Sequence, residues 1–181
     1  MATALLQMEP GEQRLSFEQT VLPHLDAAYN LARWLTRNNQ DAEDVVQEAY
    51  LRAFRFFAGF RGGDGRAWLL AVVRNTCFTW LREKGRKETV EFDEHIHGGK
   101  AIEPTPEITL VRKATLGSVQ ECMEALPLEY REAFVLRELE DMSYKEISDV
   151  AGVPIGTVMS RLSRARKRLQ ACLQSKGGFT Q

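Results

Sequence analysis

The stretch MSYKEISDVAGVPIGTVMSRLSRARKRLQACL, residues 142–173, decides how this chain is read. Ser143 is placed to cap a helix that runs through Tyr144, Ile147, Val150 and Ala151. Gly152 follows, where a helix ends in the left-handed conformation that glycine adopts at little cost. Val153 and Pro154 lead into a second helix, with the proline near its first turn. In that helix Ile155, Val158, Leu162, Ala165 and Leu169 share one side, and Gly156, Ser160, Ser163, Arg164 and Lys167 share the other. A short helix, a glycine turn and a longer helix that is apolar inside and basic outside predict a helix-turn-helix unit. Such a second helix suits the DNA major groove, where arginine can bond guanine through two hydrogen bonds. The plainer alternative is a helical hairpin with a solvated basic face. No acid occurs from 151 to 176, which weighs toward nucleic acid.

Helical spacing recurs upstream, and no stretch sustains a period of two. Phe17, Val21, Leu25, Ala28, Leu31 and Leu35 form one stripe, with Pro23 predicting a break or a fresh start inside it. Asn38, Asn39 and Asp41 supply a stop and an N-cap. Ala42, Val45, Val46, Ala49, Tyr50, Ala53, Phe54 and Phe57 make a second stripe. Gly59, Gly62, Gly63 and Gly65 mark a loop, and Trp68, Leu69, Val72, Val73, Cys77, Trp80 and Leu81 make a third stripe beyond it. Leu116, Val119, Cys122, Met123 and Leu126 predict a helix ending near Pro127, and Phe134, Val135, Leu136 and Leu139 predict the next. The expected fold is all-α. It divides into a helical domain at 1–87, an acidic flexible linker at 88–115 and a helix-turn-helix domain at 116–176.

Composition narrows the function class. With 181 residues, 44% apolar and 27% charged, the chain has room for one compact domain or two small ones. No apolar run approaches the ~20 residues that a membrane helix needs. The first 14 residues lack a basic stretch followed by an apolar core, so a signal peptide is not expected. Cys77, Cys122 and Cys172 are odd in number and scattered, which argues against a disulfide scaffold or a zinc knuckle and suits a reducing cytosol. His95 and His97 have no cysteine ligand near them in sequence, and no phosphate-binding, nucleophile-elbow or dinucleotide motif occurs. An enzyme, a metal site and a cofactor are therefore not expected.

The net charge of −1 hides a strong sorting. Asp41, Glu43, Asp44 and Glu48 stand without a base in 38–50, while 61–87 carries a net +5. The segment 88–107 carries −5, and 151–176 carries +6. Two separated basic blocks suggest two places where phosphate backbone is met. In the third helix, the face opposite the apolar stripe holds Ala71, Arg74, Asn75, Phe78, Arg82 and Arg86. A phenylalanine among arginines can stack on an unpaired base while the arginines hold phosphates, and the glycine loop 61–65 could close over an extruded base. Phe78 packing beneath the linker or another helix is the alternative. The acidic helix start is either a solvated face favoured by the helix dipole or a dock for a basic protein partner.

These motifs together resemble the extracytoplasmic-function (ECF) sigma factors of the sigma-70 family. The resemblance rests on Asp41 to Glu48, Trp68-Leu69 with Arg74-Asn75, Leu126-Pro127, Ser143 to Ile147 and Gly152 to Arg166, in the family's order and spacing. It covers about 16–87 and 116–173. It implies that Asp41, Glu43, Asp44, Gln47 and Glu48 dock on the clamp helices of the polymerase β′ subunit. It implies a −10 element surface of Arg61, Gly62, Asp64, Arg74, Asn75, Phe78 and Arg82, with Asn75 choosing the flipped base. For the −35 element it implies a DNA-binding set of Thr157 with Ser160, Ser163 and Arg164 toward bases, and Arg161, Lys167 and Arg168 toward phosphates. The partners implied are core RNA polymerase (β′ clamp helices and β flap), promoter DNA and an anti-sigma factor, with the linker threading toward the active-site and RNA-exit region. No membrane insertion is implied. The expected place is the cytoplasm, with an anti-sigma factor able to hold the chain at the inner membrane. Met159, where a basic residue is common, and Ser148, where alanine is usual, depart from the pattern. A DNA-binding regulator that never engages polymerase is the competing reading.

Overall fold

A computed structural model describes residues 10–88 and 117–176. The first nine residues, most of the predicted acidic linker and the pair His95 and His97 lie outside the described residues. Every regular element among the described residues is helical.

The first group of helices follows the punctuation of the sequence. Helix α1 (Pro10–Val21) gives way at Pro23 to a single 3₁₀ turn, Leu22–His24, before α2 (Leu25–Thr36). Arg37 closes α2 in the left-handed conformation (φ 60°), and the Asn38 side chain accepts from the Asp41 amide at 3.0 Å to start α3 (Asn39–Phe56). A second 3₁₀ turn, Phe57–Gly59, and the loop 60–64 lead to the long α4 (Gly65–Glu88). Phe17 is fully buried and meets Tyr50, Phe54 and Phe57 edge-on at 5.0–5.2 Å between centroids. Phe60 stacks on Phe57 and leans on Trp68, carrying this aromatic cluster up to the start of α4. Phe54 itself stays 46% exposed, because only its edge reaches Phe17.

The second group begins with a helix over 117–124, here α5, and continues through α6 (Leu128–Phe134) into a π turn, Val135–Leu139. Then come α7 (Tyr144–Ala151) and α8 (Ile155–Ser175). Val135, Leu136, Ile147, Val158, Leu162 and Ala165 are buried at its centre. Arg131 is buried as well, and its Nη1 donates to the carbonyls of Glu124 (2.8 Å) and Leu126 (3.2 Å), closing the end of α5. Burial lowers the Arg131 guanidinium to about 10.

The two groups are packed on each other rather than held apart. Helix α4 lies against α7, and α2 against α6, so one apolar core runs through both. Leu70, at helical spacing from Arg66 and Arg74, is buried although it falls outside the stripe read along α4. That helix is covered on two sides, by α2 and α3 on one and by the second group on the other. Two expectations need correction. Cys122 and Cys172 form a disulfide, because α5 and the end of α8 bring their Cα atoms to 5.7 Å. Spacing along the chain could not show this, since 50 residues separate them. Ile155, expected inside, is 45% exposed because it sits in the first turn of α8 at the rim of the lobe.

Gly65 is where α4 passes closest to α1. A Cβ there would lie 2.6 Å from Thr20 Cγ2 and 3.0 Å from the Thr20 carbonyl oxygen, and the latter cannot swing aside. Gly65→Ala is expected to cost about 1–3 kcal/mol of stability in urea denaturation, whereas Gly59→Ala, which meets open space, leaves the midpoint nearly unchanged.

A candidate nucleic-acid interface in two parts

The turn between α7 and α8 is built by local chemistry. The Ser143 hydroxyl accepts from the Glu146 amide (3.2 Å), and the Glu146 carboxylate accepts from the Ser143 amide (2.6 Å), a complete capping box. These bonds hold the Glu146 carboxyl below its usual range. Gly152 takes φ 66°, as its place in the sequence predicts. Ser148 earns its departure from alanine, for its hydroxyl donates to the Val153 carbonyl at 2.5 Å and pins the turn shut. Val158, Leu162 and Ala165 turn inward, while Gly156, Met159, Ser160, Ser163, Arg164, Lys167 and Arg168 face solvent. Thr157 is half-buried at the first turn. Tyr130 on α6 supports this face from the side, with its hydroxyl accepting from Arg164 Nη1 at 3.3 Å and its ring beneath the Arg168 guanidinium at 5.5 Å.

The other basic face begins at the loop 61–64. Arg61, Gly62, Gly63 and Asp64 are exposed, and Gly62 and Gly63 adopt φ 80° and 102°. The Asp64 carboxylate accepts from the amides of Arg66 (2.9 Å) and Ala67 (3.2 Å), so its present work is to cap α4. Further along α4, Asn75 and Arg82 are exposed. Arg74 lays its guanidinium over the Phe78 ring at 4.0 Å and donates to the Asn75 side chain at 3.2 Å. One face of the Phe78 ring is thus covered by an arginine.

Of these groups, Arg74 is the one that the second lobe takes hold of. Glu132 on α6 is fully buried between the lobes and takes an ion pair from each. Arg74 Nε reaches it at 2.6 Å, and Arg161 Nη1 from α8 stands 3.5 Å away. One carboxylate therefore holds an arginine from each of the two basic faces. Neither Arg161 Nη1 nor Glu132 Oε2 has a hydrogen-bond partner, so this contact is Coulombic only. Burial pushes the Glu132 carboxyl above its usual range, against the opposing pull of Arg74 and Arg161. A second carboxylate of the second lobe, Glu140, reaches the first lobe at the edge of the seam, accepting from Asn30 at 2.5 Å and from Arg66 at 2.7 Å.

The acidic start of α3 is elsewhere and open. Glu43, Asp44 and Gln47 are exposed, while Asp41 pairs with Lys84 (3.0 Å) and Glu48 with Arg52 (2.7 Å). Groups of acids, histidines or cysteines able to hold a metal are absent from the described residues. No described helix is long and apolar enough to cross a membrane.

Two helical lobes, one with a helix-turn-helix and one with a glycine loop feeding a basic helix, define a class of nucleic-acid-binding initiation factors. Residues 20–87 match the family described as Sigma-70 region 2, and residues 116–169 match Sigma-70, region 4. The chain is 34% identical over 177 residues to the RNA polymerase sigma-H factor of Pseudomonas aeruginosa, a match covering 93% of this chain and 91% of that protein. It is 35% identical over 166 residues to the ECF RNA polymerase sigma factor SigE of Mycolicibacterium smegmatis, covering 91% of this chain but 64% of that longer relative. Among solved structures, the sigma factor RpoE of Bartonella quintana, in complex with the anti-sigma factor NepR, superposes with a TM-score of 0.71 at 29% identity, over 88% of this chain and 97% of that one. The chain belongs to the ECF sigma factors, which initiate transcription and are not enzymes.

Sequence reasoning passed over Glu132, Glu140, Asn30 and Arg66, the groups that join the lobes. One signal was available, since Glu132 lies in the angular middle of Leu128, Val135, Leu136 and Leu139, a charge on an apolar face. Glu132→Lys puts a third cation between Arg74 and Arg161 and is expected to weaken the lobe contact by about 3–5 kcal/mol. Small-angle scattering should then show an expanded chain with unchanged helix content by circular dichroism; a radius equal to wild type would mean that other contacts hold the lobes.

Proposed function

We propose that this chain is closed at rest and opens on core RNA polymerase to read a promoter at two places. The observation that carries the reading is the shared carboxylate, because Arg74 and Arg161 come from the two surfaces that face DNA in the family's pattern. While both are held by Glu132, neither is free for phosphate. Docking on the β′ clamp helices through Asp41, Glu43, Asp44, Gln47 and Glu48 uses a surface that the closed arrangement leaves exposed, so polymerase can be engaged before the lobes part. Separation then releases Arg74 from Glu132, so that its side chain can swing off the Phe78 ring and an unpaired −10 base can stack there with Asn75 beside it. Arg61, Gly62, Asp64 and Arg82 line the approach to that base.

On the other lobe, Ser160, Ser163 and Arg164 enter the major groove of the −35 element, Thr157 sits at its edge, and Arg161, Lys167 and Arg168 hold the backbone. Arg164 leaves Tyr130 for a base edge. Met159 is exposed where a cation would add a phosphate contact, which lowers the salt dependence of binding by that one contact. The helical domain to residue 87, the acidic linker 88–115 and the domain 116–176 are the units that move, with the linker running between them toward the active-site and RNA-exit region and the second lobe resting on the β flap. That the Bartonella relative is found in complex with an anti-sigma factor supports a partner of that class for this chain. A chain that acts on chromosomal promoters does so in the cytoplasm, and a membrane-bound anti-sigma factor would hold it at the inner membrane.

Transcription from a promoter library with sigma-free core enzyme tests the whole reading, and absence of start-site selection would refute it. Changing Asp44 and Gln47 together to alanine is expected to weaken capture of core polymerase in a pull-down; equal capture would favour a regulator that never meets polymerase. On −35 duplexes, Arg164→Ala is expected to reduce discrimination at one base pair by about 1–3 kcal/mol. Lys167→Ala is expected to weaken all sequences alike and flatten the salt slope by about one unit. Exchanged outcomes would mean that the helix lies differently in the groove.

A further inference from the structure

The disulfide joins two places that matter for promoter reading. Cys122 belongs to α5, the first helix of the second lobe, and Cys172 to the last turns of α8, the helix that carries the −35 residues. The bond thus closes almost the whole lobe into one ring. Glu121 and Lys176 form an ion pair across the same two helices. The two sulfurs are unequal in access: Cys122 is buried, and Cys172 is only half-buried. A small thiol can reach the bond at Cys172 and not at its partner. Cys77 lies buried in the other lobe, its thiol pushed up to about 12 by burial, and is inert by comparison.

The lobe does not need the bond in order to have a core. Val135, Leu136, Ile147, Val158, Leu162 and Ala165 already fill its centre, unlike the small secreted domains that disulfides hold together. Resting on the function proposed above, the chain meets polymerase and DNA where small thiols keep cysteines reduced. Disulfides that form there are mostly transient or redox-sensing. We propose that Cys122 and Cys172 are a reversible thiol–disulfide switch that sets how firmly the −35-reading helix is held on its lobe. The exchanging partner is a low-molecular-weight disulfide of the glutathione class.

The chemistry proceeds in two exchanges. The Cys172 thiolate attacks one sulfur of the small disulfide, forming a mixed disulfide and releasing the first small thiolate. Cys122, on losing its proton to solvent, attacks the Cys172 sulfur and releases the second. Two protein thiols lose two electrons and two protons, and one small disulfide becomes two small thiols. Reduction runs backward, with a small thiolate entering at Cys172. In the oxidised form the end of α8 is tied to α5. That helix is in turn fastened to α6 by the Arg131 bonds at 124 and 126, and α6 carries Tyr130 beneath Arg164 and Arg168. In the reduced form Leu169 packing and the Glu121–Lys176 pair still hold the end of the reading helix, without the covalent tie.

The test is a titration of the full chain across glutathione/glutathione-disulfide ratios. Alkylation and mass spectrometry read the redox state, thermal melting reads stability, and fluorescence anisotropy reads binding to a −35 duplex. One two-electron transition is expected, assigned to Cys122 and Cys172. The oxidised chain should melt at least about 5 °C higher and bind the duplex at least about threefold tighter at temperatures near the reduced chain's midpoint. Cys122→Ser and Cys172→Ser should abolish both responses, and Cys77→Ser should keep them. A pair that stays oxidised or stays reduced at every ratio overturns the switch, as do two redox forms with the same midpoint and affinity. If the redox response is intact but the chain fails to direct transcription, the function proposed above falls and the redox pair stands.

Discussion

A single buried carboxylate at the seam between the lobes governs the arrangement of this molecule. Glu132 is out of contact with water and answers two guanidinium groups from different lobes, yet one of its oxygens and one Arg161 nitrogen lack hydrogen bonds. Attraction between charges in a dry seam is strong, but so is the cost of taking them out of water, and the two nearly cancel unless every lone pair is satisfied. The raised Glu132 pKa expresses that balance, with desolvation outweighing both arginines. For a carboxyl raised in this way, the cost of ionisation is absent below the ordinary glutamate value of 4.5 and fully present above the raised one. When Glu132 is ionised, the seam is closed by apolar packing around a charge that would be better solvated. Such a contact can hold a resting state and still yield to a partner.

The same seam explains why residues suited to DNA are found touching protein. Arg74 stacks on Phe78 and reaches Glu132, and Arg66 reaches Glu140. Glu132 on α6 and Glu140 just past the π turn satisfy these two arginines, as an external anion otherwise would. The fully exposed members, Ser160, Ser163, Arg164 and Lys167 on one lobe and Arg61, Asn75 and Arg82 on the other, border the seam without being consumed by it. Glu43, Asp44 and Gln47 near the start of α3 are exposed, so the surface proposed for polymerase is open when those for DNA are partly covered.

The amino-acid sequence by itself determined the helices, their ends and the turn of the helix-turn-helix. Asn38, Ser143 with Glu146, Gly152 and the breaks at Pro23 and Pro127 act over three or four residues, and local hydrogen bonds and backbone sterics settle them wherever the chain lies. The apolar stripes were legible for the same reason, since 3.6-residue periodicity is local, and so was the outward basic face of α8. Tertiary structure alone decided which partners those faces meet. The disulfide spans 50 residues, Arg74 meets a carboxylate 58 positions away and Asn30 one 110 positions away. Leu70 is buried only because a second lobe covers α4. Pairings across such distances depend on how the helix groups dock, a choice made by the summed packing of many side chains and recorded in no short stretch of sequence.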